Sequence, residues 1–112
     1  MTTRKIIMDC DPGHDDAIAI ILAAAQPELD ILAITTVSGN AEIEKTTDNA
    51  LKICDLVSLT DVIVSKGASE PLVRLRETAP GIHGDSGLDG PELPAPSRSW
   101  SEEHGADTII RL

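Results

Sequence analysis

Apolar positions along the chain alternate between short uninterrupted runs and stretches with helical spacing. The first run, Ile6-Ile7-Met8, continues through Asp9 and Cys10 to Asp11-Pro12-Gly13, where proline and glycine break it, so it reads as a strand ending in a turn. From Asp15 the spacing changes. Ile18, Ile21, Leu22 and Ala25 fall at i, i+3, i+4 and i+7, which predicts a helix with these residues as its apolar stripe, ended by Pro27. Asp15 and Asp16 then stand in its first turn, where negative charge is favoured by the helix dipole. Leu29 to Thr36 is a second run, and Ile31-Leu32-Ala33-Ile34 within it has no polar interruption, as expected of a strand covered on both faces. Ser38-Gly39-Asn40 closes it. A second helical stripe follows at Ile43, Thr47, Ala50, Leu51, Cys54 and Val57, and Val62-Ile63-Val64 forms a short third strand. The order β, α, β, α, β predicts an α/β fold: a parallel sheet with right-handed crossovers, a Rossmann-like open sheet that is incomplete.

Beyond Gly67 the regularity stops. The stretch up to Gly105 is rich in proline and glycine, and a segment this long without secondary structure is expected to be functional or mobile. Ala106, Ile109 and Ile110 then begin a helical stripe that runs only to Leu112 without a C-terminal cap signal. The expected organisation is a single domain's amino-terminal part over 1–112, with a βαβαβ core at 1–66, a long mobile loop at 67–105 and the start of a truncated helix at 106–112.

Composition narrows the function. The 112 residues carry 19 acidic and 9 basic side chains, a formal charge of −10, which opposes nucleic-acid or anionic-lipid binding through a basic surface and suits a bound cation. Trp100 is the sole aromatic residue, so there is no platform for stacking bases. No apolar run is long enough to span a bilayer, and Asp9 interrupts the stretch after the basic N-terminus before a signal-peptide core could form. Cys10 and Cys54, the only cysteines, do not make a disulfide framework. A cytoplasmic protein is expected, with no membrane or nucleic-acid partner.

The sharpest chemical feature is Asp9-Cys10-Asp11-Pro12-Gly13-His14-Asp15-Asp16, which places four aspartates at the end of the first strand. Ligands of open α/β sheets bind beyond the carboxyl ends of the strands. Carboxylates crowded to ~4 Å repel by about 4 kcal/mol per pair at an effective dielectric near 20. Helix-dipole help amounts to only ~0.3–1 kcal/mol per charge. A hard divalent cation offsets the repulsion directly, and an all-oxygen, carboxylate-rich shell suits calcium or magnesium over zinc. The bland alternative, in which Asp15 and Asp16 only start a helix while Asp9 and Asp11 solvate a strand end, suits one such aspartate better than four.

Lys5 to Ile20, KIIMDCDPGHDDAIAI, resembles the amino-terminal signature D-x-D-x-x-x-D-D of the nucleoside hydrolases, calcium-dependent N-ribohydrolases of inosine, uridine and related nucleosides. Two further blocks resemble the family in the same order: Ala33-Ile34-Thr35-Thr36-Val37-Ser38-Gly39-Asn40, and Gly81-Ile82-His83-Gly84-Asp85-Ser86-Gly87-Leu88. The resemblance implies a Ca2+ cofactor held by Asp11 and Asp16, with Asp11 also taking the proton from a calcium-bound water. It further implies that Asp15 hydrogen-bonds a ribose hydroxyl with Asp9 supporting it, that Asn40 holds the sugar, and that His83 lines the pocket. The implied substrate is a small-molecule ribonucleoside, cleaved to ribose and free base in nucleoside salvage. Family members are longer and complete the metal shell from later segments, so this chain is expected to be a truncated form, weakly active or inactive alone, and a homo-oligomer in its full-length form.

Two other readings fit parts of the pattern. A phosphotransferase of the haloacid dehalogenase type also places D-x-D after a first parallel strand and uses Mg2+, with Asp9 as nucleophile and Asp11 as acid, but here Pro12-Gly13 follows where such proteins have Gly-Thr. A non-catalytic cation- or ribose-binding fragment is the other. Without the resemblance, Asn40 suits a turn or cap as well as a ligand, His14 and His104 read as structural or exposed, and Cys10, alternating with aspartates on a strand, is expected to point into the core.

Overall fold

The computed structural model describes residues 2–73, 84–90 and 92–112. Three parallel strands, β1 (Arg4–Cys10), β2 (Leu29–Thr36) and β3 (Ile63–Lys66), form a sheet in the order β1-β2-β3. Helix α1 (His14–Ala24) connects the first pair, α2 (Ile43–Leu56) the second, and α3 (Gly105–Arg111) follows the last strand. The α/β fold with an open parallel sheet is thus the one read from the apolar runs.

Side-chain alternation assigns the two faces of the sheet. Ile6, Met8 and Cys10 of β1 join Ile34 and Val64 in the apolar cluster with Ala17 and Ile20 of α1 and Ala50, Leu51, Ile53 and Cys54 of α2. Thr36, in phase with Ile34, pairs its hydroxyl with that of Thr47 on α2 at 2.7 Å. Residues of opposite phase meet α3: the Ser65 and Thr108 hydroxyls lie 2.7 Å apart, and Gly105 packs against the Thr35 side chain. Both faces of β2 are therefore covered, as its unbroken apolar run predicts.

Only part of the stripe expected on α1 reaches the core: Ile21 is partly buried against it. Ile18 and Leu22 are 63% and 61% exposed, whereas Ala17 and Ile20 are sealed in the core. The helix is apolar on nearly every side, so spacing alone left its rotation open, and the sheet and α2 select the Ala17–Ile20 side. On α2 the expected stripe is buried from Ile43 to Cys54, and Thr46, Asn49 and Ile53 widen it.

Part of the proline- and glycine-rich stretch is anchored. Ser101 forms a parallel bridge to Ser65 and donates its backbone N–H to Val64 at 2.7 Å, while the Arg98 guanidinium donates to the Leu59 and Val62 carbonyls. Leu88 enters the core. Residues 74–83, including His83, lie outside the described residues.

Candidate active site

The site is built at the carboxyl end of β1, where the chain must turn from strand into α1. Gly13 precedes the helix in extended conformation with no side-chain cap, and Asp15 and Asp16 fill the first turn. The turn folds back on itself: the Asp11 backbone N–H donates to Asp16 Oδ2 at 3.2 Å. Burial pushes the Asp16 carboxyl above its ordinary value of 3.8, and a side-chain hydrogen bond with Asp11 and the negative charges of Asp15 and Asp11 push the same way. Asp11 and Asp16 are therefore drawn together at an electrostatic cost, while Asp15 on the same turn is exposed.

The loop after β2 supplies the other half. The Asn40 backbone N–H donates to Asp11 Oδ2 at 2.8 Å, and its side-chain Nδ2 donates to the Asp11 carbonyl at 3.0 Å. Asn40 thus grips Asp11 at both side chain and main chain. Gly39 makes this approach possible, because a Cβ there would run into the Asp11 carboxylate oxygen. Asp9 stands apart on the α3 side of the sheet, where its Oδ1 accepts the Thr35 hydroxyl at 2.6 Å across the β1–β2 pairing.

Among the sequence-predicted site residues, Asp11, Asp16 and Asn40 converge directly, Asp15 adjoins them on the helix turn, Asp9 is set apart with Thr35 on the α3 side of the sheet, and His83 is outside the described residues. Cys10 is held as a neutral thiol. Burial first, then Asp16, Asp9 and Asp11, push its pKa up to about 12, the reverse of what a nucleophilic cysteine needs. His14 donates from Nε2 to the Asp89 carbonyl at 2.7 Å, and His104 caps α3 by accepting the Ala106 N–H on Nδ1 at 3.1 Å, so both have structural contacts. Trp100 carries Lys66 Nζ 4.7 Å above its ring.

The donor set fits a hard cation in part. Asp11 and Asp16 offer only carboxylate oxygens, and their mutual repulsion is what a divalent cation relieves. No group of three His, Cys, Asp or Glu side chains converges as a complete metal cluster among the described residues. These two carboxylates would form one side of a shell that takes about 6–8 oxygens.

Residues 6–112 match the family described as inosine-uridine preferring nucleoside hydrolase. The chain belongs to that family. It is 52% identical over 110 residues to the pyrimidine-specific ribonucleoside hydrolase RihA of Photobacterium profundum, covering 98% of this chain and 36% of that one. A RihA from Shewanella sp. is 57% identical over 95 residues, covering 85% and 30% respectively. Among solved structures, the purine-preferring ribonucleoside hydrolase from Gardnerella vaginalis superposes with a TM-score of 0.90 at 37% identity, covering 96% of this chain and 35% of that chain. An inosine-guanosine nucleoside hydrolase gives 0.89 at 38% identity, covering 98% and 34%. The chain therefore spans about a third of the length of these nucleoside hydrolases. Membership in this family also removes the phosphotransferase alternative. No helix among the described residues is long and apolar enough to cross a membrane.

Three residues of the site were not singled out by sequence reasoning: Thr35, Gly39 and Asn49. Thr35 and Gly39 act through contacts across the strand pair and between loops, which no local pattern encodes. Asn49 leaves a faint signal, a carboxamide inside the apolar stripe of α2. It is 2% exposed and donates to the carbonyls of Pro12 and Ser86.

Proposed function

We propose that this chain is the amino-terminal part of a single nucleoside hydrolase domain that cleaves the N-glycosidic bond of ribonucleosides to ribose and free base. The observation that carries the reading is the Asp11–Asp16 pair, closed by Asn40, at the carboxyl end of β1 in a chain of this family. Calcium, held by Asp11 and Asp16, would lower the pKa of a water and orient the ribose diol. Asp11, gripped at both ends by Asn40, accepts a proton from the attacking water as the C1′–O bond forms and the C1′–N bond breaks. The base leaves with the electron pair of that bond and takes up a proton. The sugar passes through an oxocarbenium-like state, and the negative carboxylates of Asp11, Asp15 and Asp16 stabilise the developing positive charge. Asp15 accepts a ribose hydroxyl, Asn40 offers its amide oxygen to the sugar, and His83 lines the pocket. Asp9, bonded to Thr35, supports the strand end from behind.

With a third of the family's length, the chain alone turns over weakly or not at all. The test is a chimera in which residues 6–112 replace the matching third of the Photobacterium profundum relative. It should release free base from uridine or inosine in a calcium-dependent way, and Asp11→Ala should abolish that release. Full activity of Asp11→Ala, with a chelator having no effect, would refute the mechanism.

A further inference from the structure

The Gly84–Asp89 segment is tied to the site by side chains that donate to its carbonyl oxygens. Lys45 Nζ reaches the Asp85 carbonyl at 2.8 Å and His14 Nε2 the Asp89 carbonyl at 2.7 Å, both at the exposed rim. The buried contact is different in kind. A single nitrogen, Asn49 Nδ2, donates to the Pro12 carbonyl at 3.0 Å and to the Ser86 carbonyl at 2.8 Å. Its two protons are therefore both used, one on each of two loops that come together only through the fold. Pro12 directly follows Asp11. Gly87 completes the junction: its φ of +84° is a left-handed conformation that favours glycine, and a Cβ there would press on Asn49 Nδ2 and Ala41 Cβ at 3.2 Å. The 84–88 backbone can settle onto Asn49 because position 87 has no side chain.

We infer that Asn49 is a positioning residue that fixes the Asp11-Pro12-Gly13 turn against the 84–88 loop, so that Asp11 is pre-aimed for the cation and ribose. It touches neither and acts only through the two carbonyls. This inference rests on the proposed calcium-dependent reading of the site. The geometry makes the role specific to a carboxamide. An Asp at position 49 keeps the volume but turns acceptors toward two carbonyl oxygens, and a buried donor cannot be replaced by water in a site 2% exposed.

The test compares Asn49→Asp and Asn49→Ala with the unsubstituted 112-residue chain. Thr47→Val serves as a control that removes a buried hydroxyl from the same helix without touching either loop. Amide hydrogen exchange is read by segment in the 112-residue chain, and calcium affinity by titration calorimetry with calcium chloride in the chimera of residues 6–112 with the Photobacterium profundum relative, carrying the same substitutions. The expected result is at least tenfold faster exchange at 84–88 and at Gly13–His14 with β2 and β3 still protected, together with calcium affinity weakened about tenfold. Thr47→Val should lower the melting temperature and leave both readouts near the unsubstituted values. Unchanged exchange at 84–88 in both Asn49 variants would overturn the inference, as would faster exchange with calcium affinity unchanged. If the unsubstituted chimera binds no calcium, the reading of the site fails and the positioning role falls with it. Altered exchange would then mark Asn49 as a structural tie only. Asn49→Ala carries no buried charge and keeps the test decisive if Asn49→Asp does not fold.

Discussion

Replacing Gly39 with Ala tests how Asp11 is held. Gly39 is not among the residues with positive φ, so alanine meets no backbone penalty there. The whole effect must come from the new methyl group. It would overlap the Asp11 carboxylate oxygen and stand 2.9 Å from its Cγ and 3.1 Å from its Cβ, so the entire side chain has to swing away and not merely its tip. Doing so breaks the 2.8 Å bond from the Asn40 N–H to Asp11 Oδ2. A hydrogen bond to a charged group contributes about 1.5–3 kcal/mol, and each ~1.4 kcal/mol is a factor of ten. Calcium affinity is therefore expected to weaken roughly 10- to 100-fold in calorimetric titration of the chimera that carries residues 6–112 in the Photobacterium profundum relative. Asn40→Ala keeps the backbone donor and loses only the Nδ2 bond to the Asp11 carbonyl. That neutral bond contributes about 0.5–1.5 kcal/mol, so Asn40→Ala should weaken calcium less than Gly39→Ala. The reverse order, or a Gly39→Ala affinity within twofold of the parent chimera, would refute the account of how Asp11 is seated.

The rotation of α1 makes Ile20→Ala a large-to-small core change costing ~2–5 kcal/mol, whereas Ile18→Ala, on the exposed side, should stay within about 0.5 kcal/mol; urea midpoints compare them directly. Cys10, whose pKa burial and the neighbouring aspartates push up to about 12, should alkylate with iodoacetamide at pH 8 far more slowly folded than in urea. Alkylation of the folded chain at the rate of a free thiol would contradict its surroundings. Asp16 has a folded pKa raised above its unfolded value, so its contribution to stability is present in full below the ordinary carboxylate value of 3.8 and is lost as pH rises through the folded pKa. In calcium-free buffer Asp16→Asn should therefore raise the melting temperature at neutral pH and give no gain at pH 3. A lower melting temperature at pH 7 would reverse the assigned sign.

What the sequence determined by itself was local. Proline and glycine at 12, 13 and 27 end elements, the unbroken run at 31–34 marks a strand buried on both faces, 62–64 marks a short third strand, and the order of strand and helix fixed a parallel sheet, because each of these depends on residues close together in the chain. The acidic turn from Asp9 to Asp16 was equally legible, since its spacing alone puts the carboxylates at a strand end. Tertiary structure decided what depends on distant neighbours. A helix apolar all round has no preferred face until the sheet and α2 are in place, so Ala17 and Ile20, and not Ile18 and Leu22, enter the core. Likewise Asp9 and Asp11, two residues apart, part company because Asp9 is still on β1 while Asp11 lies just past its end, in the turn into α1. Only the pairing with β2 gives Asp9 the Thr35 hydroxyl, and only the fold brings Asn40 onto Asp11 and sets Asn49 between two loops. Those contacts join residues 26 to 37 positions apart, a range over which spacing in one chain carries no signal of which polar group will meet which.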